Sequence, residues 1–554
     1  MAAAWLSGCL APAPAGAAAV LRVGTFRGIP GRYASIQAAV DAARPGDWVL
    51  IGPGDYHETG DRVPPTAVGS DRAGAAVLVT KALHIRGMDR NRVMLDGTAP
   101  GAPPCSARGS DQQFGASGPG GNAAGRNGLV VFKADGTSVE NLSACNFLEG
   151  ARGGGSAIWF DGGDGTGRQE LGRWRGAYLT ATSTYFKDQS SPFAVYGLYA
   201  SNTSAHTGLG VFTHVYASNM GDAAFYVGAC PDCGVIVDHA RAQDSQLGYS
   251  GTDSGGRLVI RHSEFDHNQT GVLTDSRNND DYPSPQDGAC PPGLSTALRP
   301  SGIRRTRSCW VFAANLVLDN DNPDVPGAGV ATGTGLVIAG GRHDLVTRNR
   351  FLRNGAWGVL LIPFPDTEAP PDIANPPCRG GTAPPAGTPA SGQGPSACYY
   401  DDFGNRITRN TFAGNGSYGN ATNGDAGEIS GAETPGNCWR GNRDLTGSFT
   451  SDPPGIQLRH AGCRRPNSGD PPLGPLGDEV SCDGYLLFPC ASVSAPAPRA
   501  SYPHFDASRV DMRPPPPQPT MARPCRGVPR NPWCPGNPRR PRPYAVPGPP
   551  AAGG

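Results

Sequence analysis

Short segments in which apolar and polar residues alternate recur along most of the chain, and glycine, proline or asparagine separates them. Near the N-terminus, Ser35 precedes a run with apolar residues at helical spacing, and Pro45 ends that run. The apolar segment 48–51 follows. This order predicts a short helix capped by Ser35 and then a strand. Alternating segments at 83–87 and 93–97 predict two further strands, each ending at a glycine.

The strand segments are internal repeats. When the segment that begins at Gly234 is shifted by 23 residues, apolar positions fall on apolar positions, with Val237 over Ile260. A second pair of segments is offset by 61 residues and places Asn349 over Asn410. A repeat of roughly 23 residues with strand periodicity is typical of a β-solenoid, in which each repeat forms one coil.

The coils of such a fold must stack to be stable. One coil buries about six side chains, each contributing roughly 1.5 to 3 kcal/mol, whereas ordering ~23 residues costs ~1 to 2 kcal/mol per residue. Stacking adds a parallel hydrogen-bond ladder and a continuous core, and the helix after Ser35 is expected to cap the N-terminal end. Asparagine at a bend tolerates left-handed backbone and bonds to asparagine in the next coil. We expect Asn219, Asn315 and Asn320 at such bends.

Composition excludes several classes of protein. The 80 glycines and 56 prolines among 554 residues argue against a mostly helical protein. Lys and Arg together number 47, as do Asp and Glu, so the chain lacks the net positive charge with which proteins bind nucleic-acid phosphates. No run of 18 apolar residues occurs, so the sequence predicts no transmembrane segment. The sequence leaves the oligomeric state open.

Composition also divides the chain into parts. Residues 1–22 are expected to be a leader or the remnant of a lipoprotein-like signal. Residues 30–445 are expected to form the solenoid, interrupted by a loop at 98–125 and a proline-rich insertion at 363–398. Residues 446–554 carry proline clusters and cysteines, and are expected to form a disulfide-tied extension whose last ~15 residues are disordered.

The cysteines indicate export. Cys9 ends a Leu-Ser-Gly-Cys sequence that resembles a bacterial lipobox, so a lipid anchor at Cys9, plain secretion and an accidental match in a cytoplasmic chain are the alternatives. Setting Cys9 aside, the 15 cysteines leave 14, an even number that favours disulfides in an oxidising compartment. Cys230 and Cys233 form a Cys-x-x-Cys without a second pair for zinc. A disulfide between them is expected, with metal or thiol chemistry as the alternatives.

Three features carry a family resemblance. The segment YASIQAAVDAARPGDWVLIGPGDYHE, the strand pair LHIRGMDRNRVMLDG and the Asn-x-Phe-x-x-Asn-Gly coils resemble bacterial right-handed parallel β-helix repeat proteins of the pectin-lyase-like superfamily. The resemblance covers about residues 30–445. It implies an all-β, right-handed parallel β-helix with an N-terminal capping helix, and the composition adds a Pro/Cys-rich C-terminal extension that is not part of the resemblance. That superfamily includes lyases, hydrolases, epimerases, esterases and phage tailspikes, so the fold does not specify the function.

Three functional hypotheses follow. The first is an exported scaffold that binds polysaccharide or cell-envelope glycan along its outer face. The second, implied by the resemblance, is a lyase or epimerase of uronic-acid polymers, in which a base removes the proton alpha to a carboxylate that calcium or cationic side chains neutralise. The Gly-His-Gly of polygalacturonases and the Asp-Pro-His of mannuronan epimerases are absent, which weakens those two assignments. The third is an adhesin or envelope-assembly accessory protein.

The polar segment 238–281 carries the candidate chemistry. The repeat sets Gln243 beside Asp266 and Thr252 beside Asp275. A histidine near a carboxylate can act as a base, and paired carboxylates can bind a cation such as calcium. The candidate catalytic residues are Asp266, His267, Asp275 and Arg277, and the candidate ligand-binding residues of this segment are Asp280 and Asp281. We expect these six side chains to gather on one lateral face or its adjoining loop. The alternative is that they are solvated outer positions.

Other groups have weaker patterns. Arg348 and Arg409 are expected to lie one above the other, as an anionic-ligand site or as a solvated edge. Asp161 and Asp164 resemble a calcium loop, but Gly172 stands where an EF-hand needs its glutamate, so a turn is expected. Tyrosine and phenylalanine are concentrated between residues 178 and 226. Most are expected to pack in the core, and outward tyrosines that stack on sugars are the alternative.

Overall fold

The chain winds into a column of stacked coils built from short parallel strands. The computed structural model describes residues 18–64, 73–116, 122–164, 168–204, 208–228, 230–277, 285–290, 308–327, 329, 331–366, 378, 380–382, 398–430, 436–462, 474–482 and 502–536. A typical coil consists of a first strand, a bend, a second strand, another bend and a third strand. In four of the described coils the first and second strands are continuous across the first bend.

The regular elements follow one another in a repeating order. The N-terminal part contains β1 (Val20–Val23), β2 (Thr25–Phe26), β3 (Ile29–Pro30), α1 (Ile36–Ala42), β4 (Trp48–Ile51), β5 (Gly54–Tyr56), β6 (Gly74–Val79), β7 (His84–Gly87), β8 (Val93–Asp96), a 3-10 helix (Gly109–Asp111), β9 (Arg126–Phe132), β10 (Thr137–Cys145), β11 (Glu149–Gly150), β12 (Gly153–Gly154) and β13 (Ser156–Asp161). The central part contains β14 (Trp174–Thr182), β15 (Tyr196–Ser201), β16 (Gly210–Ser218), β17 (Ala223–Gly228), β18 (Val235–Gln243), β19 (Leu247–Thr252), β20 (Leu258–Arg261), β21 (Glu264–Asp266), β22 (Thr270–Asp275), β23 (Val311–Ala313), β24 (Leu316–Leu318) and β25 (Leu336–Ala339). The C-terminal part contains β26 (Leu345–Thr347), β27 (Arg350–Leu352), β28 (Trp357–Ile362), β29 (Phe364–Asp366), β30 (Cys398–Tyr400), β31 (Arg406–Thr408), β32 (Thr411–Ala413), β33 (Gly424–Glu428), β34 (Cys438–Arg440), β35 (Arg443–Asp444), β36 (Ser451–Asp452), α2 (Ile456–Arg459), α3 (Pro475–Cys482) and a 3-10 helix (Ala507–Arg509).

Two long parallel sheets result from this winding. The larger sheet has 19 strands, which are the first and second strands of the coils, and the second sheet has 11, which are the third strands. Val237 of β18 lies opposite Ile260 of β20, as the 23-residue repeat predicts. Three antiparallel pairs, β2–β3, β11–β12 and β29–β30, lie outside the two sheets. The predicted right-handed parallel β-helix is the fold of this chain.

Inward side chains of consecutive coils form one continuous hydrophobic core. At one register position of the second strands the core residues are, coil by coil, Ala144, Ala181, Ala217, Ala242, Phe265, Val317, Phe351 and Phe412. The rings of Phe351 and Phe412 stack with centroids 5.2 Å apart, and both side chains are fully buried. The predicted superposition of the two 61-residue-offset segments is therefore confirmed.

Two rows of asparagine hold the bends together. The first row is Asn315, Asn349, Asn410 and Asn442, and the second is Asn268, Asn320, Asn354 and Asn415. The Asn410 side-chain oxygen accepts hydrogen bonds from both the side-chain amide and the backbone N–H of Asn349, each at 3.0 Å. The rows thereby supply buried partners to backbone groups that the turning chain leaves unpaired. The expectations for Asn315 and Asn320 are confirmed.

Asn219 also lies at a bend, as expected, because it directly follows β16 and has left-handed backbone, with a φ of 63°. Ser218 pairs with Gln243, so Asn219 is level with Asp244, one residue before the position of the asparagine rows. Its side-chain amide donates to the carbonyls of Ser183 and Arg513 instead.

A helix caps the N-terminal end, as predicted. Ser35 is the N-cap residue of α1, and its hydroxyl accepts a hydrogen bond from the Ala38 N–H at 3.1 Å. Glu58 accepts hydrogen bonds from the Ser35 hydroxyl and from the Ile36 N–H. The N–H groups of Ile36 and Ala38, which have no acceptor within the helix, are therefore both paired. Ile36 and Val40 are buried in the core of the first coils.

The β-helix extends beyond both predicted boundaries. β1 starts at Val20 and pairs with β4, so the solenoid begins within the segment 1–22 rather than at residue 30. At the other end β36 pairs with β33, which carries the last coil past residue 445. These terminal strands are short and lack a repeat partner on one side, so the sequence pattern does not show them. Cys9 lies outside the described residues.

Part of the C-terminal extension returns along the outside of the larger sheet. Residues 502–536, which we call the strap, contact the coils in reverse order from the C-terminal to the N-terminal end. Its anchoring contacts are Asp506 to Asp324, Arg513 to Asn219, Thr520 to Asn141, Pro524 and Arg526 to Arg86, and Trp533 to Ile29. Trp533 is buried in a hydrophobic cluster that includes Trp48 and Leu50 of the first coils. The expected disorder of the last ~15 residues concerns positions outside the described ranges.

Disulfide bonds fasten several loops to the coils. The bonds between described cysteines are Cys105–Cys145, Cys230–Cys233, Cys290–Cys309, Cys378–Cys398 and Cys525–Cys534. The predicted Cys230–Cys233 bond is thus confirmed. The Cys105–Cys145 bond ties the loop 98–125 to β10, and the Cys378–Cys398 bond lies at the end of the insertion 363–398. Within the described part of the chain, no helix has the length and apolar character to cross a membrane.

Candidate functional site

Four aromatic side chains form a cluster on the outer face of the second sheet. Trp159 of β13 lies opposite Tyr199 of β15, and Tyr199 lies opposite Tyr226 of β17. The Trp159 and Tyr199 rings are nearly parallel with centroids 5.0 Å apart, and Tyr196 is 4.8 Å from Tyr199. We call these four residues the tyrosine patch. Tyr196 and Tyr199 are partly exposed, whereas Trp159 and Tyr226 are buried.

A row of polar side chains runs beside the tyrosine patch. It lies two residues further along the strands, roughly 7 Å away. The Trp159 indole N–H donates to the Ser201 hydroxyl at 2.8 Å. The Thr252 hydroxyl donates to Asp275 at 2.7 Å, as the repeat predicts, and the Arg277 guanidinium donates to the other oxygen of Asp275 at 2.5 Å. Ser201, Thr252 and Asp275 are buried in this row, whereas the Arg277 side chain is 36% exposed.

Two carboxyl groups on the other side of the patch have raised pKa values. Burial raises the pKa of Asp222 to about 6, against the opposing effects of a hydrogen bond with Tyr196 and the charge of Arg277. Burial also raises the pKa of Glu149, and the negative charge of Asp222 adds to that effect. A carboxyl group that titrates near neutral pH beside a tyrosine hydroxyl has the properties of a general acid or base.

The four described candidate residues of segment 238–281 do not gather on one face. Asp266 ends β21 on the larger sheet, whereas Asp275 ends β22 on the second sheet. The expectation was wrong because the bend after Asp266 turns the chain, so the two strand ends belong to different sheets. Arg277 accompanies Asp275. Asp280 and Asp281 lie outside the described residues.

Asp266 and His267 form a separate polar cluster on the larger sheet. The buried Asp266 carboxylate accepts a hydrogen bond from the Gln243 amide at 2.6 Å, as the repeat predicts, and is paired with Arg241 at 3.2 Å. The His267 ring nitrogen Nδ1 is 2.8 Å from Asp266, and this hydrogen bond raises the pKa of the imidazole. His267 is exposed, so the pair matches the solvated outer position that we held as the alternative. A catalytic role for the pair stays a prediction.

The remaining predicted groups have clear positions. Thr347 pairs with Thr408, so the following residues, Arg348 and Arg409, are level on adjacent coils as expected, and both are exposed. A role in binding an anionic ligand stays a prediction. Asp161 accepts a hydrogen bond from the Gly163 N–H at 2.8 Å, and Asp164 is paired with Lys133 at 2.5 Å. The hydrogen bond between Asp161 and Gly163 is local, as expected for a turn.

The aromatic segment 178–226 divides between core and surface. Phe212 and Phe225 belong to the core, whereas Tyr196 and Tyr199 face outward. Sequence reasoning missed Trp159, Glu149 and Asp222, because each is an isolated residue in a segment without a motif. The repeat could have identified Trp159, because an alignment of β13 with β15 places Trp159 opposite Tyr199.

Comparisons with known proteins find distant matches among solved structures. The chain matches no protein-family model and no curated protein. Among solved structures, the A-module of a mannuronan C-5 epimerase from Azotobacter vinelandii is 13% identical, with 75% of this chain and 86% of that one covered and a TM-score of 0.39. An alginate lyase from Paenibacillus sp. is 11% identical, with coverage of 62% and 91% and a TM-score of 0.35. Tailspike protein 2 of bacteriophage CBA120 is 9% identical, with coverage of 74% and 44% and a TM-score of 0.37.

The coils themselves carry the assignment of the fold. Parallel pairing runs through both long sheets, asparagine rows fill the bends, and a helix closes the N-terminal end. The chain is therefore a right-handed parallel β-helix repeat protein with a helical N-terminal cap.

Proposed function

We propose that the protein binds polysaccharide on the outer face of the second sheet, with the tyrosine patch as the contact surface. The observation that carries the proposal is the cluster of rings from consecutive coils, in which Tyr199 stacks on Trp159 and lies 4.8 Å from both Tyr196 and Tyr226. Partly exposed tyrosine rings on a rigid support offer flat apolar surface with a polar tip. The apolar faces of sugar rings pack on such surfaces.

The neighbouring polar row supports the same proposal. Ser201, Thr252 and Asp275 are buried and hold the row in place, whereas the Arg277 guanidinium is 36% exposed and offers donors to a ligand. Sugar hydroxyls and carboxylates accept hydrogen bonds from such a group. Val130 and Leu273, which continue the register of the patch in the two directions, are buried, so the proposed contact surface is limited to the partly exposed Tyr196 and Tyr199 and to Arg277.

Affinity electrophoresis in gels that contain alginate, pectate, a glycosaminoglycan or a neutral glucan tests the proposal. We expect at least one polysaccharide to retard the protein. Tyr199→Ala should abolish the retardation, whereas Tyr196→Phe, which retains the ring, should preserve most of it. Leu458→Ala, at an exposed position of α2, is a control that should behave as the wild type. Equal migration in the presence and absence of every polysaccharide would refute the proposal.

A second candidate function is the cleavage or epimerisation of a uronic-acid polymer at the same face. It is favoured by Asp222, whose pKa of about 6 suits proton transfer near neutral pH, beside Tyr196 and the charge of Arg277. In this role Arg277 would neutralise the substrate carboxylate and Asp222 or Tyr196 would move the proton. The ultraviolet absorbance of unsaturated product tests for lyase activity, and proton exchange at the sugar tests for epimerisation. Asp222→Asn should abolish turnover, and Asp266→Asn should not.

We further propose that the protein is exported. Five disulfide bonds between described cysteines are the supporting observation, since disulfides persist in oxidising compartments. Fractionation of cells should place the protein outside the cytoplasm. Free thiols at these cysteines in protein isolated under alkylation would refute this proposal.

A further inference from the structure

A column of stacked rings follows the first bend of four consecutive coils on the larger sheet. Tyr178, His214, His239 and His262 each adopt left-handed backbone, with φ between 49° and 56°. Successive ring centroids are 4.8, 4.9 and 5.4 Å apart. In the next coil Ala314 occupies the same position, also with positive φ, so the column of rings ends at His262.

One carboxylate joins the last two imidazoles of the column. Oδ1 of Asp238 is 2.9 Å from Nδ1 of His239 and 3.0 Å from Nδ1 of His262. Both imidazoles are well exposed, at 53% and 42%, whereas Asp238 is 19% exposed. Three ligand atoms from these residues all lie within 4.8 Å of one another.

A hydrogen bond from a neighbouring arginine orients the Asp238 carboxylate toward the two imidazoles. Arg261 donates to Oδ2 of Asp238 at 3.0 Å, which fixes the carboxylate and leaves Oδ1 toward the imidazoles. Such a hydrogen bond to a ligating carboxylate is the usual support around protein metal sites. His214 stacks on His239 and has its Nδ1 2.9 Å from the Thr213 hydroxyl, and it does not belong to the group of converging ligand atoms.

The geometry and the ligand types match one class of ion. Ligand atoms around a tetrahedral zinc ion with bonds of ~2.0 Å are about 3.3 Å apart, so the nitrogen–oxygen separations of 2.9 and 3.0 Å need only a small adjustment. Imidazole nitrogen suits zinc, nickel and copper, whereas calcium and magnesium prefer oxygen. Arg261 is the nearest cation and weakens the site, because it neutralises part of the Asp238 charge.

We propose that Asp238, His239 and His262 form a binding site for one divalent transition-metal ion of the zinc type, with a solvent-facing fourth position. The site lies on the larger sheet and is independent of the proposed glycan binding on the second sheet. It is also distinct from a second group of three ligand residues in the described part of the chain, Asp55, His57 and Asp96 near the N-terminal cap.

Isothermal titration of the full chain with zinc chloride, after removal of metal with a chelator, tests the proposal. We expect one ion per chain. His239→Ala and His262→Ala should each weaken binding at least about tenfold. Alanine suits both positions, since Ala314 adopts the same backbone in the next coil. His267→Ala is the matched control, because His267 also has positive φ and pairs with one carboxylate, but it belongs to none of the three-ligand groups found among the described residues.

Three outcomes would overturn the proposal. The first is the absence of zinc binding to the wild type at millimolar concentrations. The second is binding that survives in the double variant of His239 and His262. The third is binding that is lost in His57→Ala, which would move the ion to the group near the N-terminal cap. Circular dichroism of every variant shows whether the fold is retained, and nickel as a second probe should follow the same pattern.

Discussion

The side-chain amide of Asn349 donates a hydrogen bond to the side-chain oxygen of Asn410 at 3.0 Å, although 61 residues separate the two in the chain. The excursion between them includes the proline-rich insertion and leaves the coil register intact. The asparagine rows thus fix the register between coils. If one coil shifted by one residue relative to the next, its asparagine would lose its hydrogen bonds to the row.

Asn410→Ala should destabilise the protein by about 1 to 3 kcal/mol, because it leaves the buried Asn349 amide and backbone N–H without their shared acceptor. Denaturant unfolding measures the change. Ser417→Ala, at an exposed position in the same coil, is the control and should change stability by less than about 0.5 kcal/mol. Equal stability of the two variants would show that the row does not stabilise the bends.

Phe351→Ala or Phe412→Ala should each cost roughly 3 to 5 kcal/mol, since each removes a fully buried ring that stacks on the other at 5.2 Å. The same unfolding experiment applies. Leu458→Ala removes a side chain that is 89% exposed and should be nearly neutral. Near-neutral results for the phenylalanines would mean that these rings do not point into the core.

The sequence was sufficient for the fold but only partly for the site. The 23-residue repeat placed Val237 against Ile260 and Gln243 against Asp266, because stacking relates residues by simple addition. The repeat did not show which residues within one coil lie on the same sheet, because that depends on where the chain bends. Asp266 and Asp275 were therefore placed together although they end strands of different sheets. Asp222 became recognisable only when the structure set it beside Tyr196.

The course of the strap was not predictable from its sequence. Proline-rich segments have no hydrophobic period, so their contacts depend on what the rest of the fold presents. The strap instead uses backbone carbonyls as acceptors. Arg86 donates to the carbonyls of Pro524 and Arg526 at 2.9 and 2.8 Å while its other nitrogens bind the buried Glu140.

Arg86→Met should release part of the strap, because it removes both carbonyl contacts and one partner of Glu140. Breaking a buried ion pair typically costs about 3 to 5 kcal/mol, and Arg175, which remains bound to Glu140 at 3.0 Å, moderates the loss. Limited proteolysis followed by mass spectrometry should reveal faster cleavage within residues 502–536. Arg353→Met, which removes an exposed pair with Asp319, serves as the control. Unchanged cleavage of the Arg86 variant would show that the strap is held elsewhere.

Asp222 should make stability fall as the pH rises. Burial raises its pKa from 3.8 to about 6, so between these values the folded chain retains a proton that the unfolded chain releases. The contribution of the protonated form is therefore lost as the pH rises from about 4 to about 6. Compared with Asp222→Asn, which cannot ionise, the wild type should become relatively less stable over this range. Parallel pH dependences of unfolding for the two proteins would contradict the raised pKa.

The central claim, that the outer face of the second sheet is the functional surface, is tested most directly by tyrosine footprinting. The protein is nitrated with and without the polysaccharide that retards it, and the extent of modification is read at each tyrosine by mass spectrometry. We predict that the polysaccharide protects Tyr196 and Tyr199, whereas Tyr178, on the larger sheet, is modified to the same extent in both samples. Protection of Tyr178 with unchanged modification of Tyr196 and Tyr199 would place the ligand on the other sheet and contradict the account.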